Sequence, residues 1–374
     1  MASAGKKRFK IIQWGMGGVG KLTLRELLKN PLFEVIAVKA FTPEKSGRDA
    51  GEELGGPKNG LTVVTEIADL PLDRADCVMY CPRMADYDEV ARLLRAGVNV
   101  ITPASNVYPM AYGPEIFNKL NDAGIAGNAS FHGSGINPAF ISDVLALTYS
   151  GVVHQATRIT VREVSDIGVY AAQAPEIVLE HTSFGKDPKT VSGPDHFLSG
   201  MDAYFGESIR MICDHLGVVL DHIEHHHDWA TTNVAVMLGN GIVIEPGTIG
   251  CRRFEYRGIV GGEVRIVLST SWKVSSDLTP AWDVSTTGMV EWTITVEGTP
   301  SFQSKVMTAA SFDPKSSDYM GRSEEAALLA TAVHGINAIP AVCAAPPGVR
   351  TFLDLPIIGS QGAFRLPPPS PLPP

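Results

Sequence analysis

One stretch, Lys10 to Pro31, constrains the fold more than any other part of the chain. A β-type run, Lys10 to Trp14, ends on Gly15, Gly17 and Gly20 at G-x-G-x-x-G spacing, and Leu24, Leu27 and Leu28 then recur on one helical face until Asn30 and Pro31. Gly15 suits a tight turn, Gly17 lets backbone approach a pyrophosphate, and Gly20 lets a helix pack on the strand. The amides of the helix start then face the anion. A second apolar strand, Phe33 to Ala40, completes a βαβ unit. Strand, glycines, helix and strand together predict dinucleotide binding, with Met16, Gly18 and Val19 as loop contacts beside the three glycines.

The alternation continues: strand Asp76 to Pro82, helix Tyr87 to Ala96, strand Val98 to Thr102, helix Pro114 to Ala123, strand Ile125 to Phe131. Pro138 then opens a helix through Leu147, since its missing N–H costs nothing there. This predicts an α/β class protein whose residues 1–150 form an N-terminal Rossmann dinucleotide-binding domain with a parallel sheet. From Val152 onward alternating β-runs and turns such as Gly239 to Gly241 predict a second α+β substrate domain, 151–322, on a mostly antiparallel sheet. A helix from Glu324 to Ile336 opens a segment, 323–356, expected to pack back near the first domain, followed by a Pro-rich tail, 357–374.

Composition narrows the partners. The 374 residues are 44% hydrophobic and 19% charged, which excludes a disordered chain. With 31 Lys and Arg against 40 Asp and Glu, a formal charge of −9, there is no cationic excess for nucleic acid. No run reaches ~18 uninterrupted apolar residues, so no membrane span is expected. Five scattered cysteines, without metal-type spacing or a leader segment before the first strand, point to a reducing compartment, the cytoplasm.

About twenty residues past Gly20 an NAD-binding domain places an acidic side chain, but that spacing lands on Ala40. Thr42, Lys45 and Arg48 follow, a hydroxyl and two cations suited to a 2′-phosphate, so NADP is favoured and NAD is the alternative. Ligands of open parallel sheets bind at the carboxyl ends of strands. That selects the loops Cys81 to Arg83, Thr102 to Asn106 and Phe131 to Ser134, with Cys81, Pro82, Thr102 and Ser105, joined by Asn137 further on, as expected cofactor contacts and Asn106 as a substrate contact. Cys81 reads as a packing residue rather than a nucleophile, and His132, beside glycines at a strand end, is an acid/base candidate. The string from Asp221 through His222, Glu224, His225, His226 and His227 to Asp228 invites a metal reading. In an extended strand, however, alternate side chains face opposite ways, so no metal site is expected.

Several strings, in this order, resemble a known family: Gln13 to Gly20, Thr42 to Gly51, Gly133 to Pro138, Arg162 to Asp166, Ser183 to Gly185, and Asn337 to Gly348. Together they resemble the dihydrodipicolinate-reductase-like oxidoreductases, most closely the 2,4-diaminopentanoate dehydrogenase and native amine dehydrogenase branch. The resemblance implies a Rossmann domain with a substrate domain, a homodimer, and hydride transfer between a nicotinamide and the carbon of a C=N or C=O group. It also implies a glutamate that handles the amine in an E-E-x-x-Y-P-like string. Here Tyr108 and Pro109 match that string, while Ala104 and Ser105 stand at the carboxylate positions.

On this resemblance Tyr108, His132 and Tyr170 are the catalytic candidates, with Phe140 and Asp166 joining Asn106 at the substrate. Glu163 and Asp166 are further proton-handling candidates, or ion-paired scaffold. The expected activity is an NAD(P)H-dependent, amine-dehydrogenase-like oxidoreductase acting on a small, largely uncharged substrate. A C=C reductase and a non-catalytic nucleotide sensor remain the alternatives.

Overall fold

A computed structural model describes residues 8–104, 106–168, 171, 176–191 and 196–361. Ser105, Tyr170 and the Pro-rich stretch beyond 361 lie outside the described residues.

The elements run β1 (Phe9–Trp14), α1 (Gly18–Lys29), β2 (Phe33–Lys39), α2 (Ala50–Glu53), β3 (Val63–Val64), β4 (Cys77–Tyr80), α3 (Tyr87–Arg95), β5 (Asn99–Thr102), α4 (Pro114–Gly127) and β6 (Ser130–Gly133). Next come α5 (Ala146–Ser150), β7 (Arg158–Asp166), α6 (His196–Leu216), β8 (His222–Thr232), β9 (Val236–Met237), β10 (Val243–Ile244), β11 (Ile249–Val260) and β12 (Glu263–Lys273). The chain ends through β13 (Leu278–Thr279), β14 (Val290–Glu297), β15 (Phe302–Met307), α7 (Ser323–Ala344) and β16 (Gly348–Val349).

Two compact units result: Met1–Ala139 with Leu328–Pro374, and Phe140–Ala327. The division falls at Ala139/Phe140 rather than near residue 150, and the helix expected from Pro138 starts only after Ala139, running from Phe140 through Leu145 into α5. Asn137 and Pro138 are extended and Ala139 sits at φ +131°, a strained conformation for a residue with a Cβ. Beyond that break α5 packs on β7 and β14, and the Tyr149 and Phe302 rings lie 4.9 Å apart.

In unit 1 a parallel sheet has the order β16-β6-β5-β4-β1-β2-β3. β4 and β6 are buried at every position, as strands covered on both faces must be. One side of the sheet packs Trp14, Val78, Tyr80 and Val100 against Val90, Leu94 and Leu120 of α3 and α4. The other packs Ile11, Met79 and Ile101 against Ile336, Ile339 and Val342 of α7. The strand order reverses between β1 and β4, and the crevice at that switch point is where such sheets hold ligands.

The terminal helix is longer than the sequence pattern suggests. α7 runs through Pro340 to Ala344 rather than ending near Ile336. Tertiary packing of its apolar face offsets the proline's missing donor. Its window Glu325–Ala344 is long and apolar enough, by length and composition, to cross a membrane.

The sheet of unit 2 has the order β13-β8-β11-β12-β7-β14-β15. All neighbours are antiparallel except β7 with β12, which makes the sheet mixed. α6 covers part of one face with Phe205, Ile209 and Ile212 buried.

Candidate functional site

The glycine loop of unit 1 separates scaffold from binding surface. Gly15 has φ +106°, and a Cβ there would lie 2.4 Å from the carbonyl oxygen of Cys81. At Gly20 a Cβ would lie 2.2 Å from the carbonyl oxygen of Gly15. Both positions are therefore demanded by the close approach of β1, β4 and α1. Gly17 and Gly18 differ, because a Cβ at either meets nothing within 4 Å. Their backbone faces open space. α1 follows directly with Gly17 as N-cap, no side-chain capping bond and no acidic residue in its first turn. Its first amides and the positive end of its dipole are left for an anion. Gln13 Nε2 donates to the Gly15 carbonyl at 2.9 Å and Thr23 Oγ1 donates to that of Val19 at 2.8 Å, which fixes the turn. Met16 and Val19 complete the loop, Met16 with its side chain in the core.

At the end of β2 the cations gather around one carboxylate. Lys45 Nζ donates to the Met16 carbonyl at 3.0 Å and lies 3.7 Å from Glu53, and Arg48 donates to Glu53 at 3.0 Å. Arg48's hydrogen bond, aided by the charge of Lys45, holds the Glu53 carboxyl below its usual value. Asp49 organises the rest of the loop by accepting from the amides of Gly51, Asn59 and Gly60 at 2.8, 3.0 and 2.9 Å. Thr42 is the exposed N-cap of the single turn Pro43–Lys45.

Sequence spacing missed a third cation, Lys39, the last residue of β2 and 5% exposed. Its Nζ lies 4.2 Å from the Trp14 ring centroid and 5.1 Å from that of Phe41, and burial pushes its pKa down. Among the described residues it meets no hydrogen-bond acceptor. The signal was a lone lysine in the otherwise apolar end of Phe33 to Ala40, one residue before the position that the spacing marks.

The strand ends that follow are mostly built for scaffold. Burial raises the Cys81 thiol to about 11, and its Sγ lies 3.8 Å from Thr23 Oγ1, so it is no nucleophile at neutral pH. Pro82 follows it, half-buried. Thr102 Oγ1 accepts from the Ala104 amide at 3.2 Å. Asn106, at φ +61° and 2% exposed, accepts from Tyr87 Oη at 2.7 Å and donates to the Ala104 carbonyl at 2.8 Å. Its amide shapes the loop rather than presenting itself to a substrate. Tyr108 is buried just before the turn Pro109–Tyr112, and Asn137 lies in the extended break after β6.

His132 is placed as scaffold, not as an acid. It is fully buried, bonds the Arg350 carbonyl through Nδ1 at 2.8 Å and meets Phe352 edge-on at 4.8 Å. A carbonyl only accepts, so Nδ1 carries the proton and Nε2, buried without a partner among the described residues, does not. Burial pushes this imidazole down to about 4, and it is neutral at pH 7.

In unit 2, Phe140 is the first residue and half-buried. Asp166 accepts from the Gly168 amide at 3.2 Å, and burial pushes its carboxyl up against the opposing charge of Lys273. The histidine string is strand β8, and its side chains alternate. His225 Nδ1 and His227 Nε2 meet Asp202 at 3.2 and 2.8 Å on one face, while His226 pairs with Glu224 at 3.2 Å on the other.

Comparison with known proteins is consistent across the chain. A family model for the 2,4-diaminopentanoate dehydrogenase C-terminal domain matches residues 140–363. An amine dehydrogenase of Streptomyces virginiae is 31% identical over 281 residues, 72% of this chain and 76% of the relative. The 2,4-diaminopentanoate dehydrogenase of Acetoanaerobium sticklandii is 24% identical, covering 96% of this chain and 97% of the relative. The solved amine dehydrogenase of Mycobacterium smegmatis superposes with TM-score 0.69 at 17% identity, over 95% of this chain and 98% of its own. A scyllo-inositol dehydrogenase of Lactobacillus casei, solved with NAD(H), shares the fold at TM-score 0.51 and 16% identity, each chain covered to 89%. With the glycine loop and the open helix N-terminus, these matches make the protein an oxidoreductase that uses a nicotinamide cofactor. The chain belongs to the 2,4-diaminopentanoate dehydrogenase and amine dehydrogenase family.

Proposed function

We propose that this enzyme moves hydride between NADP(H), in preference to NAD(H), and the carbon of a C=N or C=O group in a small organic amine or carbonyl compound. The observation that carries the cofactor preference is three cations, Lys39, Lys45 and Arg48, at the end of β2, with Ala40 where a ribose-binding carboxylate would stand. The nicotinamide, when bound, supplies or accepts the hydride. The chain does the rest. The first amides of α1 hold the pyrophosphate, while Gly15 and Gly20 keep the turn tight enough for that approach. Thr42, Lys45 and Arg48 bind the 2′-phosphate, with Glu53 giving up part of its hold on the two cations. Cys81, Pro82, Thr102 and Asn137 are the proposed contacts at the strand ends, Ser105 joins them by sequence position alone, and Phe140 and Asp166 are the substrate-side candidates, with Asn106 shaping the loop beside them. With His132 neutral, Tyr108 or Tyr170 donates the proton from its Oη to the reduced atom. The enzyme is proposed to act as a cytoplasmic homodimer. Five free thiols suit the compartment, and light scattering at the mass of a single chain would refute the dimer.

The deciding assay is oxidation of NADPH and NADH against ketones, aldehydes and enones, each with and without ammonium. We expect NADPH to be preferred at least about tenfold and Arg48→Ala to erase most of that preference, the scale of one hydrogen bond to a charged group. Equal use of both cofactors overturns the preference. Turnover of enones alone assigns C=C reduction, and cofactor binding with no turnover assigns a nucleotide sensor.

A further inference from the structure

Spacing leaves Ala40 where a ribose-binding acid is expected, but the fold of unit 1 delivers a carboxylate beside the glycine loop from further along the chain. It is Glu53, the last residue of α2. Lys45 Nζ stands between the two, 3.0 Å from the Met16 carbonyl of the loop and 3.7 Å from Glu53 Oε2. Arg48 donates to Glu53 Oε1 at 3.0 Å, and Lys21, in the first turn of α1, adds its charge. Glu53 thus lies among the glycine turn, the start of α1 and the segment after β2, the elements that enclose the adenosine ribose in a βαβ dinucleotide unit.

This side chain carries little of the loop's own structure. The segment is held by backbone: the Ala50 amide donates to the Leu61 carbonyl at 2.8 Å, that of Val63 to Arg48 at 2.8 Å and that of Gly47 to Val63 at 2.9 Å. Asp49 caps α2 and gathers the amides of Gly51, Asn59 and Gly60. At Gly51 a Cβ would lie 2.1 Å from the Pro57 carbonyl oxygen, so the helix is seated there by close backbone approach. Glu52, the other acid of α2, pairs with Lys58 at 3.6 Å. Glu53 is therefore the acid of this helix that meets Lys45 and Arg48. Its side chain is 11% exposed against 60% for Arg48, so the guanidinium that covers the carboxylate stands largely in solvent and is free to turn.

Two ligand chemistries meet this cluster differently. A ribose diol brings two O–H donors and no charge, which suits the carboxylate with its cations left in place. A 2′-phosphate brings acceptors and negative charge. It is repelled by Glu53 and attracted by Lys45 and Arg48, and it is held once those two turn from the acid to the phosphate. One group of side chains thus has a partner for either cofactor, and the acid decides between them.

We propose that Glu53 sets the cofactor choice of this enzyme, accepting the adenosine ribose hydroxyls of NAD(H) and competing with the 2′-phosphate of NADP(H) for Lys45 and Arg48. This rests on the nicotinamide-cofactor reading above and goes beyond it by making NAD(H) a second cofactor, held by the acid that spacing missed.

The test measures binding without turnover, by nicotinamide fluorescence, of NADH, of NADPH and of an NADH analogue lacking the adenosine 2′-hydroxyl to the full-length wild type and to Glu53→Gln. In the wild type the missing hydroxyl should weaken NADH about tenfold, the scale of one hydrogen bond to a charged group. Glu53→Gln should weaken NADH about tenfold, bind the deoxy analogue no more weakly than NADH, and bind NADPH at least as tightly as the wild type does. A variant that keeps the wild-type ratio of NADH to NADPH affinity overturns the proposal. So does one that loses both affinities together, which would make Glu53 a clamp for the loop. Should Glu53→Gln not fold, as judged by circular dichroism, the wild type decides, and equal affinity for NADH and its deoxy analogue overturns the proposal. Equal wild-type affinities for NADPH and NADH remove the NADP preference and keep this role for Glu53 if the variant still shifts the ratio. A tenfold wild-type preference that Glu53→Gln leaves unchanged does the reverse.

Discussion

His132 shows how a residue that looks reactive in sequence becomes part of the core. Its ring spans from the Arg350 carbonyl to the edge of Phe352, and His334, whose imidazole burial also pushes down to about 4, stacks on the same phenyl ring at 5.3 Å. A histidine depressed from 6.5 in the unfolded chain to about 4 in the fold stabilises fully above pH 6.5 and loses that contribution as pH falls through 4. For His132 the full loss is at most of the order of 3 kcal/mol. Thermal melts should therefore fall steeply between pH 6.5 and pH 4, and His132→Asn, which can still donate to the Arg350 carbonyl, should flatten that fall. A variant curve as steep as the wild type's would contradict the assignment. Sequence alone placed His132 at a strand end, which is correct, but burial was invisible because its partners lie in residues 334–352, at the far end of the chain. Lys39 escaped for a different reason. Spacing counts along the chain, whereas the cation belongs with Trp14 and Phe41 across two strand ends.

Among the elements, α1 was the most legible, since glycine spacing and a leucine face are both local. What local pattern cannot divide is the labour within the loop. Gly20→Ala would drive a methyl into the Gly15 carbonyl, an overpacking that costs about 1–3 kcal/mol and displaces the turn. Gly17→Ala meets no protein atom and should cost at most about 1 kcal/mol, yet its methyl occupies the open side where phosphate approaches. Melting curves and NADPH titrations on both variants should show stability lost in the first and affinity lost, at near-normal stability, in the second. Matching effects in both would mean that Gly17 does not face the cofactor. The β-rich half was read correctly as mostly antiparallel because its strands alternate. Its exception, β7 pairing parallel with β12, arises from a long-range order that no window of sequence contains. The helix expected from Pro138 starts two residues late because proline tolerance at a first turn says nothing about the residue after it, and Ala139 at φ +131° interrupts the path before helical backbone resumes at Phe140. α7 passed Pro340 because its apolar face is packed on both sides of the proline.

For the whole molecule the instructive fact is that unit 1 is not contiguous. Ile336, Ile339 and Val342 of α7 fill one side of its sheet, each worth about 1.5–3 kcal/mol when buried. β16 supplies its edge beside β6. A chain stopped after Ala327 should keep the circular dichroism of a folded β-rich unit and lose NADPH binding, because Ile11, Met79 and Ile101 would be left facing water. Retained NADPH affinity in that truncation would show that the sheet of unit 1 stands without α7. The same connectivity sets a timetable during synthesis. Domains tend to fold as their residues emerge, and unit 2, unbroken from Phe140 to Ala327, is free to close while the last residues are still being made. The nucleotide-binding half is thus the first to leave the ribosome and the last to be finished, and through that interval its apolar sheet face is the surface a chaperone would have to shield.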